Sequence, residues 1–207
     1  MSKFRSIVEF ASGKRPFALI SAANKAEEKK RLRLFMGVDL EKAEKIRTAK
    51  KMGLKELPNN VAFLKEDAMT QMKNFGKESL DIVVTSNLFT NSYIDYFVQM
   101  GYRGAIDRKV SEFMQEAKRV LKKNGRVILI HVKLDAPAIK EIGEEAGFRA
   151  HIIPLTDAQA QKSLSPFIRR VSTPEKRLYR RDSRYGAKSG IAPEDLRQTV
   201  VIFRKAK

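Results

Sequence analysis

The sequence contains no cysteine, and this absence removes several kinds of chemistry at once. Disulfide bonds, thiolate nucleophiles and cysteine-ligated metal sites are all excluded. The two histidines, His131 and His151, are too few and too isolated to indicate a metal cluster. No apolar run approaches the roughly 20 residues that a membrane helix needs, and the start of the chain has no apolar signal core. We therefore expect a cytoplasmic protein without a membrane partner.

What the sequence has in excess is positive charge. Its 42 lysines and arginines outnumber 24 acidic residues, which gives a net charge of +18 over 207 residues. Such a surface suits nucleic acid, an anionic membrane face or an acidic protein, although a lysine-rich proteome or a thermophilic source would explain it without any partner. We expect RNA as the partner, with an acidic protein as the alternative. The sequence leaves the oligomeric state open.

Strand and helix patterns alternate along the chain. An apolar share of 43% is ordinary for a globular protein, and the length suits one domain over residues 1–207. The alternation predicts an α/β fold, with a mostly parallel sheet and helices on both faces. Strands are expected at about 6–10, 34–40, 61–64, 80–85, 126–130, 151–153 and 199–203; the clearest buried strand is 126–130, which follows a turn at Asn124 and Gly125. Helices are expected at about 17–33, 41–52, 107–121, with Asp107 as a candidate cap, and 135–147.

Residues 156–198 are the least regular part of the chain and are expected to form a basic insertion before the last strand. Arginine dominates this insertion, and aromatic residues lie between the arginines. Guanidinium groups bind phosphates, and aromatic faces stack on unpaired bases, so the insertion is a candidate RNA-binding segment. A solvated insertion that covers a sheet edge is the alternative. The candidate phosphate-binding residues are Arg169, Arg170, Arg177, Arg180, Arg181 and Arg184.

Acidic residues end each of the first three expected strands. Glu9 ends the first, Asp39 ends the second, and Asp67, followed by the small residue Ala68, ends the third. A loop of small residues, 11–13, follows the first strand and would let backbone N–H groups approach a ligand closely. A carboxylate after the second strand can bind both ribose hydroxyls, and one after the third can accept from an amine. The pattern suits an adenosyl ligand.

At these residues the chain resembles the class I S-adenosylmethionine-dependent methyltransferases, a family with a Rossmann-like, seven-stranded sheet. The resemblance covers about residues 5–155 and the last strand. It implies that S-adenosylmethionine is the cofactor and that its methyl group is transferred to an acceptor. The residues that it implies for the cofactor are Glu9, Ala11 and Gly13, of which Gly13 flanks the methionine part, Asp39 for the ribose, and Asp67 with Ala68 for the adenine.

The loop after the first strand departs from the family pattern. The family has Glu/Asp-x-Gly-x-Gly-x-Gly, and here alanine stands at the first glycine position, Ala11, and arginine at the last, Arg15. The function expected first is a methyltransferase that acts on RNA or a ribonucleoprotein. Because of this departure two further functions stay open: a methyltransferase-fold protein that binds RNA or a larger assembly without catalysis, and a small-molecule methyltransferase. A nicotinamide-dependent oxidoreductase lacks support, because the sequence has no Gly-x-Gly-x-x-Gly motif.

The end of the fourth strand supplies the candidate catalytic residues, Asn87 and Phe89. The stretch 85–90 loosely resembles the Asn-Pro-Pro-Phe/Tyr motif of amino-group methyltransferases, without its prolines. Asn87 would accept from a target amine and Phe89 would stack on a base; a satisfied loop amide and a core phenylalanine are the alternative. A weaker resemblance links strand two and residues 153–170 to the tRNA guanine-N7 methyltransferases, whose Pro-Asp-Pro-Trp motif is missing here.

Overall fold

Seven strands and four helices form the part of the chain that a computed structural model describes. The described residues are 5–11, 32–40, 45–51, 54–86, 88, 103–132, 136–154 and 198–205. The strands are β1 (Arg5–Phe10), β2 (Leu32–Asp39), β3 (Val61–Lys65), β4 (Leu80–Ser86), β5 (Leu121–Val132), β6 (Phe148–Pro154) and β7 (Gln198–Lys205). The helices are α1 (Lys45–Lys51), α2 (Ala68–Asn74), α3 (Arg103–Val120) and α4 (Ala136–Glu145).

The strands form one sheet in the order β3-β2-β1-β4-β5-β7-β6. The pairs from β3 to β5 are parallel, and β7 runs antiparallel to both β5 and β6. The chain moves outward from β1 to β3 and then returns to the other side of β1, so the strand order reverses between β1 and β4. In open α/β sheets ligands bind at the carboxyl ends of the strands near such a reversal.

Apolar side chains alternate between the two faces of the sheet, as in β1, where Val8 and Ile7 belong to different core clusters. Helix α3 contacts both α2 and α4, and all three lie over the cluster that contains Val8. Leu54 and Leu57, which follow α1, pack against the cluster on the other face. The structure therefore confirms the Rossmann-like, mostly parallel sheet with apolar layers on both faces.

Ion pairs and side-chain hydrogen bonds hold the amino-terminal edge of the sheet together. The Asp81 carboxylate accepts from the backbone N–H of Ser6 at 2.7 Å and from Lys122 Nζ at 2.9 Å, which ties β1, β4 and β5 to one another. Arg119 donates to the carbonyl oxygens of Phe75 and Met72, at 2.8 and 3.1 Å, and so caps the end of α2. Each cation in this network has a described partner.

Two of the predicted boundaries are wrong. Residues 32–33, expected as the end of a helix, belong to β2, where Leu32 pairs with Arg5 of β1. Helix α3 begins at Arg103, so Asp107, expected as its cap, lies inside the helix. Helix α2 was not expected at all. The remainder of the helix expected at 17–33 and most of the insertion expected at 156–198 lie outside the described residues.

At Asn124 and Gly125, where a turn was expected, the pairing of β5 with β4 changes register. Pairing between β4 and β5 passes from Leu80–Leu121 directly to Ile82–Arg126, so residues 122–125 leave the ladder with β4. The clearest buried strand then follows the excursion, as expected. At the other end of the domain, Gly147 closes α4 with a φ of 86°, a conformation that favours glycine.

Candidate functional site

The four strands β1 to β4 end at one level on the carboxyl edge of the sheet. Phe10 of β1 is paired with Val38 on one side and with Thr85 on the other, and Asp39 is paired with Lys65 of β3. The next position of each strand therefore faces the same space. The structure thus brings together the strand ends at which the sequence placed Glu9, Ala11, Asp39 and Asp67.

Ala11 begins the loop after β1 in a left-handed conformation, with a φ of 53°. This conformation suits glycine, and alanine adopts it at a cost of about 1–2 kcal/mol. Phe10, immediately before it, is fully buried and meets Phe113 of α3 edge to face, with ring centroids 6.1 Å apart. The turn at Ala11, a position at which the family has glycine, thus directly follows a residue that is fixed by packing against α3.

Glu9 and Asp39 share one face of the sheet. Glu9 is paired with Gly37, two residues before Asp39, and residues two apart in a strand point to the same side. Glu9 is completely buried, whereas Asp39 is half-buried at the strand end. Both carboxylates have interaction partners, so Glu9 is not an isolated buried charge.

Asp67 caps helix α2. Its Oδ2 accepts from the backbone N–H of Thr70 at 2.9 Å and from the Thr70 hydroxyl at 3.2 Å. This cap is the structural role that such an acid commonly has at the start of a helix. The Asp67 side chain is exposed, and Ala68 behind it is buried against the core. The cap fixes the carboxylate at the carboxyl edge, next to the end of β3.

Leu40 is a further candidate site residue, which sequence reasoning missed. Its side chain is 68% exposed and directly follows Asp39, and it is the large apolar residue that stands out as exposed among the described residues. An apolar side chain in water next to a carboxylate offers a surface to the flat face of a ligand ring. The signal in the sequence was weak, since a leucine that continues an apolar strand is indistinguishable from a core residue.

The end of β4 combines a buried hydroxyl with a partly covered leucine. Thr85 is completely buried, and its Oγ1 has no hydrogen-bond partner in the described part of the chain. Leu88 packs against the core cluster under the helices. The candidate catalytic residues on either side of it, Asn87 and Phe89, lie outside the described residues.

Several other candidates also fall outside the described ranges. These are Gly13 and Arg15 of the first loop and the six arginines of the basic insertion, Arg169, Arg170, Arg177, Arg180, Arg181 and Arg184. Among the residues with described positions, no group of three or more histidine, aspartate or glutamate side chains could hold a metal ion. None of the helices described is both long and apolar enough to cross a membrane.

The strand order, the reversed β7 and the acidic strand ends together define a class I methyltransferase fold. The family model described as a methyltransferase domain matches residues 8–181, which is most of the chain. The chain therefore belongs to the methyltransferase domain family. No curated protein sequence matches it significantly.

Solved structures agree with this fold. A SAM-dependent methyltransferase from Archaeoglobus fulgidus is 14% identical with a TM-score of 0.55, and the match covers 99% of this chain and 87% of that one. An antibiotic-related methyltransferase is 14% identical with a TM-score of 0.53, covering 99% and 89%. A complex of the Haloferax volcanii Trm112 methyltransferase activator with a methyltransferase matches at 12% identity and a TM-score of 0.54, covering 100% and 84%.

Family membership supports S-adenosylmethionine as the cofactor, in agreement with the sequence. The residues at the carboxyl edge fit such a group. A left-handed residue opens the β1 loop, and an acid with an exposed leucine ends β2. A second acid is held in place at the start of α2. The match thus gives a methyltransferase, while the acceptor of the methyl group is a separate question.

Proposed function

We propose that this methyltransferase acts on RNA or on the RNA of a ribonucleoprotein. The observation that supports the cofactor half of the proposal is the common level at which β1 to β4 end, with Ala11, Asp39 and Asp67 at that edge. The observation that supports the RNA half is the net charge of +18. Nucleic acid is the acceptor class that a strongly cationic surface of this kind favours.

In the proposed site the residues of β2 and α2 bind the adenosyl part. Asp39 accepts from both ribose hydroxyls, and Asp67 with the backbone at Ala68 contacts the adenine edge. One carboxylate oxygen of Asp67, Oδ2, already caps the helix, which leaves Oδ1 for the exocyclic amine. Leu40, next to Asp39, covers one face of the adenine ring.

The β1 loop and the end of β4 lie on either side of the reaction centre in this proposal. Glu9, Ala11 and Gly13 hold the methionine part of the cofactor. S-adenosylmethionine supplies an electrophilic methyl group on its sulfonium. Asn87 accepts from the target amine and Phe89 stacks on the target base, which aligns the nucleophile with that methyl group. Methyl transfer depends mainly on such alignment, so the proposal needs no further catalytic side chain.

The cofactor half is tested by titration calorimetry of the full chain with S-adenosylmethionine and with S-adenosylhomocysteine. Binding of either compound supports the site, and absence of both signals contradicts it. The acceptor half is tested with S-adenosylmethionine labelled in its methyl group, by measuring label transferred to total RNA and to a protein extract. Label in RNA supports the proposal. Label in small molecules or protein alone contradicts it.

The basic insertion is tested separately by the salt dependence of RNA binding. If about five or six of its cations contact phosphates, log affinity falls with log salt at a slope near −4, at about −0.7 per contact on single strands. Neutralising Arg169, Arg170, Arg180 and Arg181 together should flatten that slope by about 2–3. The comparison variant changes the same number of lysines around Lys45 and Lys50 of α1, which are both exposed. Equal flattening by both would contradict a specific segment.

A non-catalytic RNA-binding protein with the same fold is a second candidate, because Arg15 stands where the family has glycine. The left-handed Ala11 counts against it, since the first turn of the loop has the conformation of a glycine-containing loop. Pro16 biases Arg15 toward an extended conformation, so we expect Arg15→Gly to leave cofactor affinity nearly unchanged. A gain of about tenfold or more in affinity would favour the non-catalytic candidate.

A further inference from the structure

Three arginines lie side by side across the three last strands of the sheet. Arg204 of β7 is paired directly with Arg126 of β5 on one side and with Arg149 of β6 on the other. Directly paired residues of antiparallel strands point to the same face, with Cβ atoms about 4.5–5.5 Å apart. The three arginine side chains therefore project from the same face of the sheet, side by side. We call these three residues the arginine row.

The row stands at the end of an apolar surface. The positions two and four residues further along the same face are Ile128 and Ile130 of β5, both buried, and Ile202 and Val200 of β7 beside them. The row itself is at the amino-terminal end of the part of β5 that pairs with β7. It lies about 20 Å from the carboxyl edge, at roughly 3.3 Å for each of the six residues from Arg126 to Val132.

At the two exposed positions of the row, no described acid balances the charge. Arg149 and Arg204 are exposed, and neither forms an ion pair with a described carboxylate. Arg126 is half-buried and does have an interaction partner. On the side of the sheet that α2, α3 and α4 cover, by contrast, cations form ion pairs with described acids. These pairs are Arg119 with Glu116, Lys122 with Asp81, Lys140 with Glu144 and Lys205 with Glu78.

Like charges directly opposite one another on neighbouring strands destabilise a sheet. The row contains two such neighbour pairs, so folding alone does not favour it. A ligand with a series of negative charges would relieve the repulsion, and planar guanidinium groups bind phosphate oxygens in bidentate fashion. An arginine here could be explained by its apolar stem, which covers the end of the core. A lysine stem would cover the core equally well, so this packing role does not account for three arginines.

The geometry points to the arginine row as a binding surface for the sugar-phosphate backbone of a single RNA strand, remote from the cofactor edge. This inference rests on the proposed function for the identity of the polymer, and it adds a second contact surface to the basic insertion. RNA is favoured over an anionic membrane, because the row is a line of charges with no exposed apolar residue described beside it, which membrane insertion would require.

The experiment compares two variants of the full chain that lose the same charge. Arg149→Gln with Arg204→Gln removes two cations of the row. Lys73→Gln with Lys77→Gln removes two exposed cations elsewhere on the described surface. Binding to a fluorescently labelled single-stranded RNA of mixed sequence is followed by anisotropy at several salt concentrations. A third variant, Arg149→Lys with Arg204→Lys, keeps the charge and loses the planar fork.

We expect the arginine double variant to weaken RNA binding about tenfold near 100 mM salt and to flatten the salt slope by about 1.4, which corresponds to two contacts at about 0.7 each. The lysine control should change affinity less than threefold, as a rough bound for diffuse charge, and Arg→Lys should fall between the two. S-adenosylhomocysteine affinity should stay the same in all three, which verifies that the cofactor site is folded.

Four results would overturn the inference. Equal weakening by the two charge-matched variants would mean general attraction. Loss of binding to phosphatidylserine vesicles with RNA binding intact would assign the row to a membrane surface. Unchanged RNA binding in the arginine variant, while wild-type protein binds and methylates RNA, would refute the row alone and leave the proposed function standing. If wild-type protein binds no RNA, both proposals fail together.

Discussion

The two edges of the parallel sheet are built on opposite principles. At the amino-terminal edge, Asp81 and Arg119 use several hydrogen bonds each to fasten neighbouring elements to one another. At the carboxyl edge, Ala11 is held in a left-handed conformation, Leu40 is exposed, and Asp39 ends its strand half-buried. The first edge satisfies its polar groups internally. The second ends in a strained residue, an exposed apolar side chain and a half-buried acid.

This difference predicts that the amino-terminal edge contributes to stability and the carboxyl edge to ligand binding, which substitutions can test. Changes at the amino-terminal edge should lower the free energy of unfolding and leave cofactor affinity unchanged. At the carboxyl edge, removal of a candidate ligand-binding side chain such as Asp39 should lower cofactor affinity and leave the free energy of unfolding nearly unchanged. A residue that behaved as a member of the other edge would break the comparison.

The largest effect is expected from Arg119→Met. The substitution removes the donor to the carbonyl oxygens at the end of α2, which include those of Phe75 and Met72, while it keeps an apolar stem. We expect the loss of these hydrogen bonds to lower the free energy of unfolding by about 2–4 kcal/mol, measured by urea denaturation. The Arg119 side chain is partly exposed, which limits the loss. Lys109→Met on the exposed side of the same helix is the control, with an expected change below about 0.5 kcal/mol. Similar losses in both would remove Arg119 from the network.

Asp39→Ala should have the next largest effect, on binding. Loss of a charge-assisted contact with the ribose hydroxyls is expected to weaken S-adenosylmethionine binding by about 1.5–3 kcal/mol, or roughly ten- to hundredfold. The free energy of unfolding should change by less than about 0.5 kcal/mol. Calorimetry and urea denaturation of the same preparation measure both quantities. Unchanged affinity would exclude Asp39 from the site.

Asp81→Ala is the counterpart of that substitution at the opposite edge. It deletes an acceptor for the N–H of Ser6, which is buried, and leaves Lys122 without its partner. We expect a loss of about 1–2 kcal/mol in stability, mostly from the orphaned N–H, since the exposed ion pair contributes little. S-adenosylmethionine affinity should be that of the wild type. A drop in affinity as large as that of Asp39→Ala would break the comparison between the edges.

The smallest effect is expected from Ala11→Gly. Relief of the left-handed conformation is worth about 1–2 kcal/mol, and the greater freedom of glycine in the unfolded chain offsets roughly half of it. A net rise of about 0.5–1 kcal/mol in the free energy of unfolding should follow, with cofactor affinity within about twofold of wild type. Ala11→Val serves as the opposing variant and should destabilise. A less stable glycine variant would show that the left-handed turn is absent in solution.

Strand positions were accessible from the sequence because they depend on local alternation. Each of the seven strands was predicted within a few residues, and the excursion before Arg126 was visible in its Asn-Gly pair. Helix α2 was missed, since its seven residues, 68–74, are too few to display a helical period. The end of β2 nearest the chain start was missed too, because Leu32 and Arg33 fit the preceding helical pattern equally well.

Tertiary information was needed for the rest. The exposure of Leu40 depends on where the chain goes after β2, and the left-handed turn at Ala11 contradicts its local preference. The arginine row could not be read from the sequence, because Arg126 and Arg204 are far apart in the chain and meet only through the register of β5 with β7. The order of strands confirms the fold, while the roles of Asp39, Asp67 and Asn87 remain predictions.

Because the four strands end at a common level, their spacing sets the length of a ligand that spans the carboxyl edge. Neighbouring strands are about 4.8 Å apart, so the edge from β3 to β4 spans about 14 Å. A ligand that reaches from the cap at Asp67 to the loop after Thr85 must be elongated and must lie across the strands rather than along them. If the acceptor binds at Asn87 and Phe89 as proposed, it approaches from the β4 end of this edge, which is the end that lies toward β5, β7 and β6.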